Sequence, residues 1–139
     1  MGTLQGFIDD LIVEFRTIEG IKYTPDDPPA RLVSWPATPV WAVTGYARAE
    51  FEQVVSYFHD VRVGILGPGQ DMYKLSRVLT ALLEPIIQNI YGKYTAGEFT
   101  DIESMGNISY TFGPIEWAGV IQFGFILTLH DVKISNTVS

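Results

Sequence analysis

The chain has 139 residues and a net charge of −7, from 9 basic and 16 acidic side chains, a size that fits one domain with one core. It has no cysteine, which excludes disulfides and thiolate metal sites, and it has no basic cluster of the kind that grips nucleic acid. Charged residues reach only 18 % against a usual value of about 25 %, so some of the apolar surface is expected to be covered by neighbouring subunits.

Leu4, Phe7, Ile8, Leu11, Ile12, Phe15 and Ile18 recur at three- and four-residue spacing. This predicts an amphipathic helix, with Thr3 as N-cap and Gly20 as its stop. Asp9 and Asp10 interrupt the apolar stretch, and no basic n-region precedes it, so a secretory signal is not expected. The longest uncharged runs, Leu32 to Ala47 and Trp117 to His130, are too short to span a bilayer, and a soluble protein is expected.

Pro25, Pro28 and Pro29 make the next segment turn-rich, and Arg31 to Trp35 reads as a short strand ended by Pro36. From Val40 to Arg48, alternation predicts a strand with aromatic residues on both faces. Phe51 to Leu66 is rich in β-branched and aromatic residues, which predicts a long bent strand or two strands broken near His59 and Asp60. Gly67, Pro68 and Gly69 close it in a turn.

A second helix is expected from Gln70 or Asp71 to Gly92. Its apolar face comprises Met72, Leu75, Val78, Leu79, Leu82, Leu83, Ile86, Ile87 and Ile90, and Pro85 implies a kink or two abutting helices. Residues 93–106 read as a flexible polar loop. The chain then closes in a hairpin: Asn107 to Phe112, a turn at Gly113-Pro114, and a strand from Trp117 to Ile134. Residues 134–139 read as a loose tail. This order predicts one α+β domain over residues 1–139, an antiparallel or mixed sheet with two main helices packed on one face.

Candidate chemistry is sparse. The tripeptide His-Asp-Val occurs at His59 and again at His130, so His59, Asp60, His130 and Asp131 could meet across neighbouring strands. The simpler expectation is two solvated strand-edge dipeptides. The Gly64 to Asp71 stretch lies where a phosphate loop would, but it lacks the Lys-Ser or Lys-Thr and the glycine spacing. Asp10 and Glu14 fit a solvated helix face, and none of Ser34, Ser56, Ser76 or Ser104 sits in a nucleophile elbow. No catalytic, cofactor or metal residue is expected. Trp35, Trp41 and Trp117 lie near turns, where such residues pin loops to a core or anchor an interface.

The layout resembles one family. The helix ending in Ile18-Glu19-Gly20-Ile21 with a Pro-rich segment after it, the strand Tyr57-Phe58-His59-Asp60-Val61-Arg62-Val63 feeding a loop and long helix, and the closing Tyr110-Thr111-Phe112-Gly113-Pro114 with Val120 to Leu129 are similar to tail terminator proteins of long-tailed bacteriophages. The resemblance covers about Leu4 to Val132. It implies a non-enzymatic subunit of a ring, usually a hexamer, at the head-proximal end of the tail tube. The ring would stop tube growth and join the tube to a head-neck connector protein, placing the chain in the virion after synthesis in the host cytoplasm. Sheets of adjacent subunits would line a pore, and the acidic balance would let DNA pass without sticking. No single residue role is carried over from the resemblance; loop position and the tryptophans near turns make Trp35, Trp41, Gly67, Pro68, Gln70, Glu98, Phe99 and Trp117 the candidate inter-subunit or ring-ring contacts. A head-completion or neck connector subunit has the same layout, and a small-ligand or peptide-binding module is the remaining alternative.

Overall fold

A computed structural model describes residues 2–25, 36–51, 53–67, 72–117 and 120–137. Its elements run α1 (Leu4–Phe15), β1 (Val40–Phe51), β2 (Val54–Gly67), α2 (Met72–Thr95), β3 (Ile108–Trp117) and β4 (Val120–Thr137). All strand pairs are antiparallel, in the order β1-β2-β4-β3. The fold is therefore α+β, as the element order predicts. Among the described residues, no helix is long and apolar enough to cross a membrane.

The predicted stripe of α1 is its buried face: Phe7, Ile8, Leu11, Ile12 and Phe15 all enter the core. Thr3 Oγ1 accepts from the Gly6 N–H at 2.9 Å, satisfying one orphan donor of the first turn. The helix stops at Phe15, earlier than expected, and turns carry the chain to Gly20, whose φ of 97° suits a glycine. From α2 come Leu79, Leu82, Leu83, Ile86 and Ile90, and from the sheet Val61, Val63, Ile65, Phe125, Leu127, Leu129 and Val132. The alternate sheet positions that enter this core share one face, so both helices lie on that face.

Several expectations need correction. α2 is one uninterrupted helix through Pro85 and continues past Gly92 to Thr95. Pro85 and Ala81, the residue whose carbonyl loses its helix partner, are both exposed; water can serve that carbonyl, so no break follows. Val78, assigned to the apolar face, is 53 % exposed.

Residues 93–106 are not a free arm. After Gly97 (φ 73°), Phe99 packs edge-on against Phe7 with ring centroids 5.2 Å apart. Asp101 Oδ1 then accepts from the Thr3 N–H at 3.0 Å, and Ile102 and Met105 pack on the core. Backbone bonds between Glu103 N and Lys133 O, Lys133 N and Ser104 O, and Gly106 N and His130 O lash the segment to β4. Its polar composition hides three apolar anchors.

The hairpin turn also falls later than expected. Gly113 and Pro114 lie inside β3, opposite Gly124 and Phe123, and pairing persists to Trp117 opposite Val120. Pro114 is tolerated because β3 is an edge strand, where a missing N–H need not cost a ladder bond. Residues 134–137 belong to β4 and pair with Val54–Tyr57, so the described part of the expected tail is strand. The strand expected at Arg31 to Trp35 lies outside the described residues.

β2 runs unbroken through His59 and Asp60, so of the two forms expected for this segment the single long strand is the one found. It starts at Val54, since Phe51 closes β1, and the irregularities near Asp60 lie in its partners. β4 inserts an extra residue against β2, since His59 faces Val132 while Val61 faces Leu129. Asp131, with φ 53°, lies in that bulge. β1 inserts Val43 against β2, since Ala42 faces Val61 while Thr44 faces Asp60. Asp60 therefore has a bulge on each side, and the sheet divides there. One half carries the helices; the other is a three-stranded wing formed by the far parts of β1, β2 and β4.

Candidate functional site

Two features stand out, the wing and a polar relay beside its root. Every residue of β1 from Ala42 to Ala49 is exposed, an unusual state for a strand in a helix-backed sheet. Val43 is 44 % exposed, Tyr46 57 % and the neighbouring Tyr57 36 %. No described strand pairs with the far side of β1. The opposite edge, β3, is blunted: the Ile108 N–H donates to Tyr91 Oη at 3.1 Å, and Pro114 has no N–H to offer.

The wing is stiffened on the face away from the helices. Tyr46 stacks on Phe58 with centroids 5.0 Å apart, and the Arg48 guanidinium carbon and Lys133 Nζ stand 5.2 and 5.8 Å from the Phe58 centroid. Glu50 joins both cations, 2.8 Å from Arg48 and 3.7 Å from Lys133. The hydrogen bond from Arg48 holds the Glu50 carboxyl below its ordinary pKa. Ser56 and Ser135 bond across β2 and β4 at 2.9 Å. These contacts hold the wing as a preformed ribbon.

At the wing's root the bulges bring together three residues from three strands. Ser109 Oγ and His130 Nε2 are 2.7 Å apart, and His130 Nδ1 is 3.7 Å from Asp60 Oδ1. The same Asp60 oxygen accepts from the Asp131 N–H at 3.3 Å. The sheet thus unites Asp60 and His130 from the sequence-derived constellation but leaves out His59. His59 stacks on Tyr57 with centroids 6.2 Å apart, and strand alternation puts it on the face opposite Asp60. Burial lowers its pKa. Among the described residues, no group of three or more His, Cys, Asp or Glu side chains could hold a metal ion. Ser109 escaped the sequence reading because its only link to His130 is the register of β3 on β4, one residue diagonal from the Ile108–Leu129 pair.

Of the residues expected at ring contacts, Trp41 is half-buried and stands opposite Arg62. Gly67 is buried at the end of β2, opposite Phe123, and Glu98 is exposed just beyond α2. Phe99, at 4 % exposure, is a core residue and offers no surface to a neighbour. Trp117 ends β3 opposite Val120. Trp35, Pro68 and Gln70 lie outside the described residues. Of the described ones, Trp41 adjoins the wing's root on β1, next to Ala42, while Gly67 lies on β2 and Glu98 and Phe99 lie between α2 and β3.

A scan of the sequence against models of known protein families gives no match, and no curated protein matches it either.

Proposed function

We propose that the chain is a structural, ring-forming subunit of a long-tailed bacteriophage, a tail terminator that caps the tail tube and joins it to the neck. The observation that carries this reading is the wing: a preformed ribbon with an open outer strand, exposed from Ala42 to Ala49 and apolar at Val43 and Tyr46. Such an edge is a hazard for a solitary protein and an asset for one that docks against copies of itself. A head-to-tail contact of this kind closes into a ring when the rotation between copies divides a circle. The net charge of −7 suits a pore through which DNA passes without being held. A neck connector subunit shares these properties and differs in its partner, the portal-side ring in place of the tail tube protein.

The test is the mass of the purified protein by light scattering, with negative-stain images of the same sample and of a mixture with tail tubes. Six-fold rings with a central hole, seated on tube ends, are expected. Val43→Asp with Ala47→Lys, both on exposed wing positions, should abolish the rings while leaving the circular dichroism spectrum unchanged. A protein that stays monomeric alone and ignores tube ends would overturn the reading, and rings that bind only portal assemblies would favour the connector.

A further inference from the structure

The relay at the wing's root has an arrangement that a ring contact does not require. A hydroxyl lies within hydrogen-bond reach of an imidazole nitrogen, and the other nitrogen faces a carboxylate. We propose that Ser109 is a nucleophile activated by His130, with Asp60 as the positioning residue, reactive toward carboxylic esters.

The chemistry follows from the donors and acceptors. If the Nδ1 of His130 carries the ring proton and points it at Asp60, Nε2 is left as the acceptor for the Ser109 hydroxyl, the tautomer a general base needs. Asp60 is itself fixed by the Asp131 N–H at 3.3 Å, a bond that exists only because the β4 bulge turns that amide toward β2. The separation of 3.7 Å between His130 and Asp60 is long for a hydrogen bond and short for charge attraction. It suits a pair that tightens once the imidazole gains a proton. Register places Arg62, Thr128 and Ser109 in one cross-strand row, with Trp41 opposite Arg62.

The step balances without a co-reactant. The Ser109 proton passes to His130 Nε2 as Oγ forms its bond to the ester carbonyl carbon and the carbonyl electron pair moves onto oxygen. Collapse of that adduct breaks the bond to the alcohol oxygen, which leaves with the proton from His130. Water, deprotonated by His130, then releases the acid and restores the Ser109 hydroxyl.

The test uses the full chain with p-nitrophenyl acetate, following p-nitrophenolate release, and a fluorophosphonate probe with peptide mapping. A burst of nitrophenolate and a single adduct on Ser109 are expected. Ser109→Ala should remove both, and His130→Ala should slow the burst about 100-fold or more. Asp60→Ala should lower the rate and distort its pH profile, and Asp60→Glu should restore part of it, a rescue that a purely structural role does not produce. Acetylation confined to lysines or to His59, or a wild-type chain that the fluorophosphonate leaves unlabelled, would overturn the proposal. Because the probe is mapped on the wild-type chain, the result does not depend on any variant folding, nor on whether rings form.

Discussion

At the scale of single residues, Asp10 is the clearest electrostatic liability. Burial raises its pKa, the negative charge of Asp101 adds to the rise, and Lys93 offsets part of it. A carboxyl whose folded pKa lies above its unfolded value favours the fold only while protonated. That contribution is complete below the unfolded value, about 3.9, and is lost as pH rises through the folded pKa. At neutral pH the charge therefore works against the fold. Asp10→Asn is expected to raise the melting temperature at pH 7, with the gain fading to nothing at about pH 3. Melts at the two pH values decide the matter, and an equal gain at both would mean the charge is not the cause. The neighbouring carboxylates are placed to advantage: Asp101 meets the N-terminus of α1, where the helix dipole favours an anion, and Glu14 pairs with Lys93 at 3.2 Å.

At the scale of elements, two glycines that face each other across β3 and β4 have opposite roles. A Cβ on Gly124 would run into the backbone carbonyl of Ile65, whereas one on Gly113 would meet nothing within 4 Å. Gly124 thus lets β4 lie close on β2 while Leu66 settles over it. Gly124→Ala is expected to cost on the order of 1–3 kcal/mol, because backbone cannot step aside as a flexible side chain can. Gly113→Ala should change stability by less than about 1 kcal/mol, and could raise it, since alanine restricts the unfolded chain. Urea titrations of the two variants measure the contrast, and equal losses would refute the close-approach argument.

The same pair shows what the sequence could and could not disclose. A Gly-Pro dipeptide between two strands is the local signature of a turn, and only the register of β3 on β4 reveals that both residues belong to the strand. The α1 stripe was legible because helical spacing is a local property; the bulges beside Asp60 were not, because they lie in β1 and β4 while β2 itself runs unbroken. Tertiary anchoring was not legible. Phe99, Ile102 and Met105 sit singly among polar residues, with no period to mark them as core. Of the candidate site, the meeting of Asp60 and His130 was foreseeable as a cross-strand possibility. Ser109 was not, because its partner lies 21 residues away and is chosen by the register alone.

At the scale of the whole molecule, ring formation sets apolar burial against like-charge repulsion. Each added copy brings a net charge of −7, and the wing offers Val43, Tyr46 and Tyr57 as exposed apolar surface. The wing's charges, Arg48, Glu50 and Lys133, already pair within the subunit, so few cations remain there to bind a neighbour by ion pairs. Salt shortens the reach of repulsion from about 10 Å at 0.1 M to about 3 Å at 1 M while leaving apolar burial largely intact. Under the proposed function, assembly should therefore strengthen as sodium chloride rises from about 0.05 to 0.5 M, with the monomer boundary in sedimentation velocity shrinking in favour of the ring. Rings that dissolve over the same range would show that ion pairs between subunits hold them, and would move the contact away from the wing. The Val43→Asp and Ala47→Lys changes give the matching control: they add one charge of each sign, so any loss of assembly that persists at high salt comes from the altered surface and not from net charge.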